Sequence, residues 1–153
     1  MAGEDERNHL FSWLEERFGI PERLFDDYLL FRRNKSWHLL RDTRRLVAAS
    51  PLKVSRVGLK AFQKVGGFIK PTTRFIQIFG TAATRARVEI GGEQLQRLLA
   101  GQEIPLELDL TKGYVILSLP ENRILGLGFF INGKVRSQIP KKELRLAMVE
   151  NDE

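Results

Sequence analysis

The sequence predicts an α+β chain, with mixed helices and strands first and a small β-rich unit last. Three observations carry this. Leu10, Leu14 and Phe18 stand four apart with Phe11 beside them, the stripe of an amphipathic helix. "YLLFRR" and "SWHLLRD", joined by Asn34 and Lys35, read as a hairpin. Towards the C-terminus, "GYVILSL" is a continuous apolar run, and "ILGLGFFINGKVRSQI" holds Asn132-Gly133, whose residues suit the positive φ of a tight hairpin turn.

In order, the first helix is expected over residues 8–18, with Gly19 as its stop. Pro21 suits the first turn of a short restart in "IPERLFDDY". "ASPLK" reads as a break near Ser50 and Pro51, "VSRVGLKAF" as a strand, and "VGGFIKP" as a loop. "TTRFIQIFG" predicts a short helix with Thr72 as N-cap, Phe75, Ile76 and Phe79 on one side, and Gly80 as stop. "RARVEI" is a strand candidate, and "GEQLQRLLAG" a helix with Leu95, Leu98 and Leu99 on one face before Gly101. Everything after it reads as strand, with a frayed acidic tail, "VENDE". A soft boundary falls near residues 80–84, dividing the chain into 1–82 and 83–153.

With 153 residues, 42% hydrophobic and 29% charged, the chain has enough apolar content for a packed core. It has no cysteine, which removes disulfides, thiolate metal sites and a cysteine nucleophile. The polar start "MAGEDERNHL" has no signal-peptide character, and no run is long enough to span a bilayer, so a cytoplasmic protein without membrane partners is expected.

Catalytic patterns are not found. There is no G-x-S-x-G elbow and no P-loop, and "GLGFF" lacks the third glycine of a dinucleotide fingerprint. His9 and His38 are the only histidines, and no metal site is expected from them. Asp26 and Asp27 are adjacent and so do not face each other on a helix; with Glu15 and Glu16 they read as solvated. The expectation is a protein with no catalytic residue, no cofactor and no metal.

What remains is charge. The net charge is +6, but from Arg32 to Arg87 there are 14 Lys or Arg and one acid, Asp42, a local balance of +13 against −7 elsewhere. Such asymmetry points to a polyanion, since a basic surface concentrates phosphates and gains from counterion release. Lys60, Lys64, Lys70 and Arg74 alternate with Phe62, Phe68 and Phe75, so cations could hold phosphates while rings stack bases. The opposite reading makes those rings core. The helix start after Thr72, beside Lys70, offers a phosphate seat, and Arg85 and Arg87 are expected to project from one face of a strand.

Residues 54–140 resemble the PUA family, and in particular Nip-type ribosome biogenesis factors and the C-terminal part of Sun-type RNA cytosine-5 methyltransferases. The resemblance is carried by "RVGLKAFQKVGGFIKPTTRFIQIFG", "RARVEIGGEQLQRLLAGQEI" and "KGYVILSLPENRILGLGFFINGKV", and the opening "FSWLEERFGIPERLFDDYLLFRRNKSWHLL" resembles the pre-PUA region of such proteins. It implies a pre-PUA-like α+β domain followed by a PUA-like β pseudo-barrel that binds structured RNA. It also implies RNA contact at Arg85, Arg87, Gly91, Gly92, Arg97 and Gly126, with Glu93 opposing phosphate at the helix start. With no cysteine, it carries no methyltransferase activity. The expected partner is ribosomal or transfer RNA, in ribosome biogenesis or RNA modification. The alternative is a protein-interaction or specificity subunit of an assembly complex or RNA methyltransferase, docking through exposed apolar residues such as Trp13.

Overall fold

A computed structural model describes residues 1–42 and 58–151. The expected break at Ser50 and Pro51, residues 54–57 of the expected strand, and the cations Arg44, Arg45, Lys53 and Arg56 fall outside the described residues.

Helix α1 (Glu4–Phe18) buries Leu10, Phe11, Leu14 and Phe18, and Gly19 ends it in the left-handed conformation. It starts a turn earlier than the apolar stripe predicts, with three acids in the first turn favouring the positive end of the helix dipole. The restart is a 3₁₀ turn, Glu22–Phe25, directly after Pro21. Strands β1 (Tyr28–Arg33) and β2 (Ser36–Arg41) form the expected hairpin, with Asn34 at φ 55° in its turn.

Strand β3 (Leu59–Val65) pairs with β2 and then with β4 (Phe68–Pro71), completing an antiparallel sheet in the order β1-β2-β3-β4. The expected loop "VGGFIKP" is therefore a hairpin: Gly66 and Gly67 turn the chain, and Lys64 and Val65 sit opposite Ile69 and Phe68. Helix α2 (Thr73–Phe79) is capped as predicted, the Thr72 hydroxyl accepting from the Phe75 amide at 3.2 Å. Helix α2 ends at Phe79 with Gly80 as its C-cap, as expected, and Gly80, in the right-handed region, opens a 3₁₀ turn, Gly80–Ala82.

A second, mixed sheet follows, in the order β5-β7-β8-β9-β6, curled into a half-barrel. Its strands are β5 (Arg87–Glu89), β6 (Ile104–Pro105), β7 (Gly113–Leu119), β8 (Arg123–Ile131) and β9 (Lys134–Ser137). Among its described strands, only β5 and β7 run parallel. Strand β7 is buried from Val115 to Leu119, which is why its sequence reads as an unbroken apolar run rather than an alternation. Asn132 and Gly133 both take positive φ, 52° and 72°, at the β8–β9 turn. Helix α3 (Gly92–Leu99) buries Leu95 and Leu98.

The C-terminal part is not all strand. Helix α4 (Lys141–Asn151) runs into the expected frayed tail, burying Leu144 and Ala147 with Met148 half-buried against the core. Residues 152–153 lie outside the described residues.

One continuous cluster of buried residues joins the two sheets. At its centre Phe25 lies within 4.4–6.4 Å, centroid to centroid, of Phe11, Tyr28, Phe75 and Phe79. Helix α2 packs against both β3 and β8. Close approach here depends on Gly126 of β8, where an added Cβ would stand 2.7 Å from Ile139 Cγ1 and 3.5 Å from Thr73 Cγ2. Gly126→Ala is expected to destabilise the fold by about 1–3 kcal/mol through overpacking, measured by chemical denaturation. A loss well under that would mean Ile139 yields freely.

Candidate nucleic-acid interface

The β1–β2 turn lies beside β3, held by a hydrogen bond from the Lys64 amide to the Lys35 carbonyl at 2.7 Å. An open recess of about 290 Å³ results, lined by Arg33, Lys35, Lys60 and Lys64 with Asn34, Ser36 and Gln63. Among the described residues, four cations and no carboxylate line it, and all four are exposed. Neighbouring Arg32 is used differently. It pairs with Glu6 at 3.1 Å and stacks over the Trp37 ring at 5.2 Å.

Cross-strand register extends this surface. Gln63 is flanked by Ser36 on β2 and by Lys70 on β4, and Lys60 is opposite His38, so Lys60 and Lys70 share the sheet face turned away from the aromatic core. Among the described residues, Lys70 Nζ reaches only the neutral amide of Gln138, at 3.4 Å. Burial pushes its ammonium below the usual lysine range, because the charge has lost water without gaining an anion. A phosphate at this position would reverse that cost.

Lys60, Lys64 and Lys70 are thus brought together on the β3–β4 hairpin. Arg33 and Lys35 join them, unsingled by sequence reasoning although "RRNKS" showed three cations around a turn residue. The other expected site residues are placed elsewhere, so the described cations do not form a single patch. Arg74 is exposed in the first turn of α2. Arg85 and Arg87 do not share a strand face: β5 begins at Arg87, and Ala86 between them has φ 49°. Arg85 turns to the α1 end, its amide bonded to the Phe18 carbonyl at 2.9 Å, while Arg87 bonds Asn122 and the Thr81 carbonyl. Arg97 lines a separate recess with Glu103 and Lys134.

The glycines divide as well. Gly91 is exposed before α3 and its amide donates to Gln94 Oε1 at 3.0 Å, Gly92 is half-buried, and Gly126 is buried by the packing above and offers no surface. The expected phosphate seat at α2 is occupied by the Thr72 hydroxyl, which takes the Phe75 amide and donates to the Lys60 carbonyl at 2.6 Å. Of the interleaved rings, Phe62 and Phe75 are fully buried core, while Phe68 is 72% exposed. Trp13 is half-buried edge-on against Phe18, not a free apolar side chain. His38 Nε2 lies 3.2 Å from Ser36 Oγ, the environment of a structural histidine. Among the described residues, no cluster of His, Asp and Glu could hold a metal, and no helix is long and apolar enough to cross a membrane.

The molecule is thus an α+β protein in which an antiparallel meander and a curled mixed sheet share one core, with a cationic rim on the meander. In sequence the chain is similar to the ribosomal RNA small subunit methyltransferase F of Psychromonas ingrahamii, at 29% identity over 100 residues, 61% of this chain. The match covers 20% of the methyltransferase, so the chain spans only a fraction of that relative's length. No protein-family model matches the chain.

Proposed function

We propose that this chain is a non-catalytic RNA-binding protein that grips structured ribosomal or transfer RNA, in RNA modification or ribosome biogenesis. The observation that carries the reading is the recess of Arg33, Lys35, Lys60 and Lys64, four exposed cations with no carboxylate among the described residues of its lining. Such a site gains from phosphate chiefly by releasing counterions, and shape rather than base sequence supplies its selectivity. Lys70, desolvated on the same sheet face, adds a fifth cation. The distant similarity to a ribosomal RNA methyltransferase supports ribosomal RNA as the partner and modification as the setting. The PUA resemblance, whose family binds structured RNA, points the same way.

The test is affinity for a folded fragment of small-subunit ribosomal RNA, measured across salt concentrations. About five phosphate contacts to single-stranded segments give log K against log salt a slope of roughly −3 to −4. A slope near zero overturns the proposal.

A further inference from the structure

An open groove of about 990 Å³ runs between α1 and the loop 109–113, with the β3–β4 hairpin tip contributing Phe68. It lies on the other flank of the same hairpin, since Gln63 and Lys64 line the cationic recess while Phe68 and Ile69 line the groove. Phe68 is 72% exposed, so its ring face is not spent on the core. Two further rings in the lining are already ordered. Trp13 stands edge-on to Phe18 at 5.7 Å, and Tyr114 edge-on to Phe129 at 5.3 Å. Rings held in place lose little freedom when a ligand stacks on them.

The polar lining is mixed in sign. Arg85 and Lys112 are exposed there, as are Glu16 and Asp109. A ligand made only of phosphates would be opposed by the two carboxylates, and a purely apolar ligand would strip water from all four charges unpaired. Nucleotides satisfy both sets, because phosphates take the cations and base amino groups donate to carboxylates. Arg17 builds the wall, its Nε donating to the Tyr114 carbonyl at 2.8 Å and Nη1 to the Thr111 carbonyl and hydroxyl at 3.0 and 2.9 Å. Its Nη2 is buried without an acceptor among the described residues.

We propose that this groove takes an unpaired stretch of the bound RNA, bases stacking on Phe68 and Trp13 while Arg85 and Lys112 hold its phosphates. The inference rests on the RNA-binding reading and adds single-strandedness to it. Duplex would be held by the recess alone, because paired bases hide the faces that the rings need.

The experiment compares a short mixed-sequence oligoribonucleotide with the same strand annealed to its complement. Phe68→Ala, at an exposed site, is expected to weaken the unpaired strand about tenfold, the scale of one lost base–aromatic stack, and to leave duplex affinity and the salt slope unchanged. Tryptophan fluorescence is expected to be quenched by the unpaired strand and not by duplex, and the quenching to be absent in Trp13→Phe. Equal loss on both ligands, no loss, or unchanged quenching in Trp13→Phe overturns the groove assignment while salt-dependent binding by the unaltered protein keeps the RNA reading. An unaltered protein that binds neither ligand overturns both.

Discussion

Phe25→Ala is expected to lower the unfolding free energy by about 3–5 kcal/mol, a large share of the roughly 5–15 kcal/mol typical of a domain. Phe25 sits in a short 3₁₀ turn, its carbonyl accepting a hydrogen bond from Arg7 Nη2. Its ring is fully buried, stacked on Phe11 at 4.4 Å and against Phe75 at 5.8 Å, with Tyr28 and Phe79 closing the sides. These neighbours come from α1, the first sheet and α2, and α2 also packs on the second sheet. The cavity left by alanine therefore opens where several elements meet and cannot collapse by moving one of them. In thermal denaturation the midpoint should fall by roughly 6–20 °C for a chain of this size. A loss below about 1 kcal/mol would mean that the aromatic cluster is not what couples these elements.

Replacing Arg33, Lys35, Lys60 and Lys64 together by glutamine is expected to remove more than half of the salt dependence of RNA binding. Each phosphate contact on a single strand contributes about −0.7 to the slope, so four account for nearly −3, or roughly 50-fold in affinity between 50 and 200 mM salt. The variant should bind at least that much more weakly at low salt, and its curve should converge with that of the unaltered protein as salt rises. All four side chains are exposed, so the denaturation midpoint should barely move, which separates lost binding from lost fold. An unchanged slope would place the phosphate contacts on other cations, with Arg85, Arg87 and Arg97 the first to examine.

Much of the fold was legible because its signals are local. The four-residue spacing of Leu10, Leu14 and Phe18, the Thr72 cap and the Asn132-Gly133 turn each act within a few residues, and each forms as read. Helix α4 was legible but passed over: Leu144, Ala147 and Met148 have helical spacing after Pro140. Strand β4 was not, because four residues after two glycines carry no period, and only pairing with β3 makes them a strand.

The sequence by itself determined the α+β class, the positions of most elements and the excess of positive charge between Arg32 and Arg87. Those follow from side-chain periodicity, turn chemistry and composition, which act along the chain. Only the tertiary structure decided which charges lie together. Sheet pairing sets Arg33 and Lys35 beside Lys60 and Lys64, residues far apart in the chain, while a positive φ at Ala86 turns Arg85 from Arg87, its near neighbour. It also separated Phe68 from Phe62, because the pairing of β3 with β4 gives the two rings opposite sheet faces, while Phe75 is buried on helix α2.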